Sequence, residues 1–147
     1  MTDAPQFAAD LLTPQLQQEL IEFAQSLVRI KSYSGQEAEI IRHIEQRMRA
    51  LGYADVTIDA MGNLMGKLGD GPTAILFDSH VDTVEVNDPD AWAMPPFGGE
   101  IADGRLHGRG AVDMKSAAAA SIYAAALAQR MGWTAGKTVY VACTVME

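Results

Sequence analysis

Cysteine is nearly absent from this 147-residue chain: Cys143 is the only one, so no internal disulfide can form and a disulfide scaffold is excluded. Basic residues are scarce. Lys and Arg total 11 against 19 Asp and Glu, a formal charge of −8, and a chain this acidic is repelled by phosphate backbones, which argues against nucleic-acid partners. Long apolar runs are missing too. The longest, around residues 117–128, falls short of the roughly 20 residues that a membrane span requires. The first residues, Met1-Thr-Asp-Ala-Pro-Gln6, hold neither a basic n-region nor an apolar h-region, so no signal peptide is expected. What is present is 48 % apolar and 20 % charged residues, a composition that builds one globular core. The expectation is a soluble, cytoplasmic protein with no nucleic-acid or membrane partner.

The acidic excess is concentrated in the second part of the chain. Between Asp78 and Asp90 stand Asp82, Glu85 and Asp88 as well, with no base among them. Most of this run reads as a solvated loop, although a focused acidic region also attracts cations.

Thr13-Pro14 supplies a hydroxyl cap and a first-turn proline, and apolar residues from Leu16 to Ile30 recur at helical spacing, predicting a helix over 14–31. Residues 1–13 are then an N-terminal tail. Ser34-Gly-Gln-Glu37 has the form of a capping box ahead of a second amphipathic helix that closes at Gly52. Alternating segments 54–59 and 63–68 around Ala60-Met-Gly62 predict a hairpin. The continuous apolar run in 73–79 predicts a strand covered on both faces. Loop signals follow to about Gly99, where Trp92, Pro95, Pro96 and Phe97 serve as tethers, and a turn is expected at Asp103-Gly104. Eight alanines between 117 and 128 predict a helix over 114–131 packed closely on a sheet, and residues 138–146 form a last apolar strand.

Strand, excursion, helix, strand is a crossover, normally right-handed, that leaves its two strands parallel. Parallel strands gather ligands at their carboxyl ends. His80 and Asp82 lie just past the first strand, Glu147 just past the second, and Asp113 just ahead of the connecting helix. Topology alone brings these four polar residues to one sheet edge.

Taken singly, each has two readings. His80-Val-Asp82 places imidazole and carboxylate on the same side of an extended chain, either as a polar strand end or as a metal ligand and the carboxylate that orients it. Asp113, in Gly108-Arg-Gly-Ala-Val-Asp-Met-Lys115, is either a helix cap or a ligand, and the two preceding glycines let the backbone approach something closely. The glycine spacing is not that of a dinucleotide-binding turn. Glu147 alone says almost nothing. Asp78-Ser79-His80 cannot form a serine relay, because neighbouring strand residues face opposite sides and no Gly-x-Ser-x-Gly elbow exists. Cys143 reads as a small buried hydrophobe.

In combination, Ile75-Leu-Phe-Asp-Ser-His-Val-Asp-Thr-Val84, Trp92 with Pro96-Phe97, Asp103-Gly-Arg-Leu-His-Gly-Arg-Gly-Ala-Val-Asp-Met-Lys115 and Thr144-Val-Met-Glu147 resemble the M20 family of metallohydrolases. Ser34-Gly-x-Glu37 and Gly62-Asn63 are similar to that family's pattern upstream, and Phe77-Asp-Ser-His80 with Thr144-Val-Met-Glu147 looks closest to its selenium-metabolism-linked branch. The resemblance implies an α/β fold: a three-layer, mostly parallel mixed sheet with helices on both faces, the N-terminal portion (14–147) of a Zn-peptidase-like catalytic domain. It implies His80 as a metal ligand, Asp82 as the residue orienting it, Asp113 as a ligand bridging two ions with a cis bond to Met114, and Glu147 as general base. The implied metal is zinc, two ions in the complete enzyme, with cobalt or manganese as alternatives. The implied reaction is hydrolysis of the amide bond of an N-acyl amino acid or short peptide.

The resemblance also implies a second glutamate ligand at position 148, later Asp and His ligands, and a smaller domain that mediates homodimerisation. On that comparison the chain is expected to be an inactive N-terminal fragment. A non-catalytic α/β interaction module is the alternative: it would keep the sheet and ignore metals.

Overall fold

A computed structural model describes residues 11–147 of the chain. The expected tail over 1–13 falls mostly on residues outside those described. Its last member, Thr13, caps helix α1 (Pro14–Arg29): its Oγ1 accepts from the Leu16 amide at 3.2 Å, as the Thr-Pro pair predicts. Helix α2 spans Ala38–Ala50 and ends at Gly52, whose φ of 91° suits a residue without a Cβ. The capping box does not form. Glu37 occupies the cap position without a side-chain cap bond, and the Ser34 hydroxyl is turned away to the Asp82 carboxylate.

Strands β1 (Asp55–Ile58) and β2 (Leu64–Gly69) make the expected hairpin. The Asp59 carboxylate closes it by accepting from the amides of Met61, Gly62 and Asn63. Strand β3 (Thr73–His80) leads into the long loop, then into the small hairpin of β4 (Glu100–Ala102) and β5 (Arg105–His107), with Asp103 and Gly104 both at positive φ in its turn. Helix α3 (Ser116–Arg130) and strand β6 (Lys137–Thr144) complete the crossover.

The four-stranded sheet has the order β1-β2-β6-β3, antiparallel except for the parallel pair β3–β6. The mixed α/β class inferred from the sequence forms, but among the described residues the sheet is not mostly parallel: two of its three pairings are antiparallel, because β1 and β2 form a hairpin whose second strand lies beside β6. Side chains alternate along strands, so Leu64 and Leu68 of β2 share a face with their register partners Cys143 and Val139 of β6. Phe23 and Leu27 of α1, Ile40, Ile44 and Met48 of α2 and Ile122 of α3 pack into one core with them. Within the described residues the helices therefore cover one face of the sheet, not both, because all three share that single core. The opposite face holds Met65, Lys67, Leu76 and Tyr140, all at least partly exposed.

Two further expectations are corrected. β3 is not covered on both faces: it pairs only with β6 at the edge of the sheet, and Ile75, Leu76 and Phe77 are 37 %, 59 % and 44 % exposed. The helix expected over 114–131 begins at Ser116, because residues 111–115 form an irregular turn in which Asp113 and Met114 have non-helical dihedrals. Asp113 is thus not a helix cap. Among the described residues, no helix is long and apolar enough to cross a membrane.

Candidate metal centre

The parallel register of β3 and β6 builds the site. His80, the last residue of β3, is the register partner of Thr144, so the chain leaving β6 runs alongside the chain leaving β3. His80 is well covered, with 11 % of its side chain exposed, whereas the Asp113 and Glu147 side chains are 85 % and 72 % exposed. Its Nε2 lies 3.0 Å from Asp113 Oδ1 and 3.1 Å from Glu147 Oε2. Three residues far apart in sequence therefore meet at one imidazole nitrogen.

The other ring nitrogen, Nδ1, lies 3.1 Å from the main-chain oxygen of Asp82 and 3.6 Å from its carboxylate Oδ1. Asp82 was expected to hold the ring by its carboxylate. In the structure the ring bond goes to its backbone carbonyl, because the carboxylate is engaged elsewhere. Asp82 Oδ2 accepts from Ser34 Oγ at 2.6 Å and Oδ1 from the Glu147 amide at 3.3 Å. Asp82 is buried, and this buried carboxylate ties the loop before α2 to the chain after β6.

Both imidazole nitrogens thus face oxygen acceptors, an arrangement best met by imidazolium. Burial on its own would depress the His80 pKa. The hydrogen bond to Asp113, the charges of Glu147 and Asp113 and the Asp82 carbonyl outweigh it and raise the pKa above 6.5. The same field favours any cation that displaces the proton at Nε2.

The turn carrying Asp113 is fixed from below. Lys115 is fully buried, and its Nζ donates to the carbonyls of Leu27 at 3.0 Å and Ile30 at 2.7 Å, at the end of α1 where the helix dipole favours a cation. Burial lowers its pKa to about 8. The glycines ahead of the turn are packed closely against protein: a Cβ on Gly108 would stand 2.4 Å from Val28 Cγ1, and one on Gly110 2.7 Å from Thr83 Cγ2. Gly110 also needs its φ of 80°.

A cleft of about 260 Å³ opens over this constellation. Arg109 is the one Lys or Arg lining it, its guanidinium 5.0 Å from the centre of the Trp92 ring. Trp92 thereby serves as a tether, as does Phe97, which meets Tyr33 edge-on. Asp78 is exposed and Ser79 buried on adjacent positions, in keeping with the absence of a serine relay. Cys143 is fully buried and its thiol is pushed up to about 12, chiefly by that burial.

Residues 76–147 match the family model described as Peptidase family M20/M25/M40. The uncharacterized protein YgeY of Escherichia coli (strain K12) is 32 % identical over 131 residues, covering 89 % of this chain and 32 % of its own length. The chain is thus similar to the M20 family. A succinyl-diaminopimelate desuccinylase of Parvibaculum lavamentivorans is 37 % identical over 121 residues, 77 % of this chain and 30 % of that enzyme. The fold matches that of human carnosine dipeptidase 1, with a TM-score of 0.78 at 22 % identity over 89 % of this chain and 32 % of that one. The chain spans about a third of the length of the curated relatives it matches.

The likeness to the M20 metallopeptidases implies a metal, and the donor set here fits one in part. His80 Nε2 and Asp113 Oδ1, 3.0 Å apart, are close to the spacing of two ligands on one tetrahedral zinc, about 3.3 Å for bonds of about 2.0 Å. Among the described residues, however, no three His, Cys, Asp or Glu side chains are arranged to hold a single ion. Four residues at the site were not singled out individually by sequence reasoning. Ser34 and Glu37 read locally as a capping box, Asn63 as the first residue of the second hairpin segment, and Arg109 has no reading of its own; for the first three, the M20 pattern is the available signal.

Proposed function

We propose that the protein carrying this chain is a metal-dependent hydrolase that cleaves the amide bond of N-acyl amino acids or short peptides, and that residues 14–147 are part of its catalytic domain. The observation that carries this reading is the convergence of Asp113 and Glu147 on Nε2 of His80. His80 and Asp113 would hold the metal, zinc in a two-ion site in the complete enzyme, with Asp113 as the bridging ligand. A bound divalent cation supplies Lewis acidity, polarising a carbonyl and acidifying a water.

The remaining steps belong to side chains. The Asp82 carbonyl fixes the His80 ring by accepting from Nδ1, so that once the Nε2 proton is displaced its lone pair would point at a cation. Glu147 is the general base: its exposed carboxylate takes a proton from the attacking water at Oε2 and returns it to the leaving amine nitrogen as the amide C–N bond breaks. Arg109 offers a counter-charge to a carboxylate on the substrate, in a cleft whose other charged residues are acidic or His80. With two protein donors among the described residues, residues 1–147 alone hold zinc weakly and turn over no substrate. Homodimerisation through a domain outside these residues and a cytoplasmic setting complete the reading; they rest on the family pattern and on the single, buried cysteine.

The test is amine release from N-acetyl and N-succinyl amino acids by the complete protein. Turnover that requires zinc, stops with EDTA and falls by about 10²- to 10⁴-fold in Glu147→Gln is expected. Turnover indifferent to chelation, or unchanged in Glu147→Gln, would overturn the reading.

A further inference from the structure

Three consecutive backbone amides after β6 are each held by a side chain from a different part of the fold. The Val145 amide donates to Asn63 Oδ1 at 3.1 Å, the Met146 amide to Glu37 Oε1 at 3.1 Å, and the Glu147 amide to Asp82 Oδ1 at 3.3 Å. Asn63 comes from the β1–β2 hairpin, Glu37 from the entry to α2 and Asp82 from the exit of β3. We propose that Glu37 and Asn63 are positioning residues for Glu147: with Asp82 they clamp the segment 145–147 and so set the reach of the Glu147 carboxylate to His80.

Each partner is itself fixed. Asp59 Oδ2 accepts from Asn63 Nδ2 at 2.9 Å, which turns the amide oxygen of Asn63 towards Val145. Glu37 is buried, and the same Oε1 also accepts from the Gly35 amide at 2.9 Å. A buried carboxylate is retained only where hydrogen bonds compensate its desolvation, and here they come from the two backbone amides it joins. The segment it holds is strained. Met146 has a φ of 57°, a left-handed conformation that is costly for a residue with a side chain and persists where the surroundings enforce it. That bend lies immediately before Glu147, whose Oε2 stands 3.1 Å from His80 Nε2. In an ordinary extended continuation of β6, the side chain of residue 147 would not be directed by three separate anchors. The Ser34-Gly-Gln-Glu37 and Asn63 positions, which make no helix cap, thereby acquire a role.

The inference rests on Glu147 being the general base, so the test separates the two. In the zinc-loaded complete protein, Glu37→Ala and Asn63→Ala are each expected to lower kcat for an N-acyl amino acid by about 10- to 100-fold with KM and bound zinc unchanged, since a misplacement of about 1 Å costs that much. Glu37→Gln, which keeps a carbonyl oxygen at the position, recovers most of the loss. In a Glu147→Gln background the same alanine substitutions change the residual rate by less than about twofold, because they act through the missing base. Equal losses in both backgrounds, or an unchanged kcat beside an inactive Glu147→Gln, would overturn the inference. An activity-independent readout accompanies these: exchange of the Val145 and Met146 amides, expected to be at least about tenfold faster in Asn63→Ala and Glu37→Ala. Unaltered exchange refutes the clamp whatever becomes of the base, and a Glu147→Gln enzyme that keeps its kcat refutes the role of Glu147 whatever the exchange shows. Should Glu37→Ala fail to fold, Asn63→Ala carries both measurements.

Discussion

Nε2 of His80 and Oε2 of Glu147 stand 3.1 Å apart, joined through the parallel register that makes His80 the partner of Thr144. Asp113 reaches the same nitrogen from the turn before α3, with its Oδ1 at 3.0 Å.

Asp113→Asn tests that contact in the metal-free chain. Burial depresses the His80 pKa, while the Asp113 hydrogen bond and the two carboxylate charges raise it above 6.5. Removing the Asp113 charge leaves burial less opposed, and the pKa is expected to fall. Two-dimensional NMR titration of the His80 ring protons reads the shift directly. A pKa that stays put or rises would mean that Asp113 does not face the ring in solution.

His43 gives the opposite sign at a distance from the site. Its Nε2 is 2.7 Å from Ser26 Oγ, and Ser26 donates its own proton to the Phe23 carbonyl, so the ring nitrogen is the donor between them. Partial burial, then the nearby Arg47 charge, lowers its pKa below 6.5. A base with a depressed folded-state pKa binds fewer protons folded than unfolded in that interval, so its contribution to stability is present above 6.5 and is lost as pH falls through the folded value. His80, with a raised pKa, works in the reverse direction, contributing below 6.5 and losing it as pH rises through its folded value. The readout is therefore the difference in melting temperature between wild type and His43→Gln. It is expected to shrink between pH 7.5 and pH 5; a difference that grows on acidification would contradict the assignment.

Gly66 tests the packing between sheet and helix. A Cβ there would stand 2.7 Å from both Met48 Sδ and Tyr53 Cδ1, and Tyr53 is held in turn by its hydroxyl donating to the Ile122 carbonyl at 2.8 Å. Gly66→Ala is expected to destabilise the chain by about 1–3 kcal/mol in urea unfolding, as overpacking does. A neutral or stabilising result would show that α2 and Tyr53 give way without cost.

His80, Asp82, Asp113 and Glu147 are readable as a group because a crossover between two apolar strands obliges the carboxyl ends of both strands to share an edge. The roles of Ser34 and Glu37 are hidden for a different reason. Ser-Gly-Gln-Glu ahead of an amphipathic helix satisfies a capping pattern locally. Only the return of the chain after β6, which brings the Met146 and Glu147 amides to Glu37 and Asp82, decides that these oxygens face the site. Likewise the apolar run of β3 suits a strand buried on both faces, but its exposure depends on which strands lie beside it, and within these residues β6 is its sole neighbour in the sheet. Local pattern fixes which side chains alternate; long-range pairing fixes what they meet.

Zinc titration of the chain, followed calorimetrically and by the NMR signals of the His80 ring, tests the central claim most directly. Weak binding, above micromolar dissociation, is expected, with the ring signals shifting in step with the heat and both responses abolished in His80→Ala. Submicromolar binding, or binding that survives His80→Ala unchanged, would contradict the account.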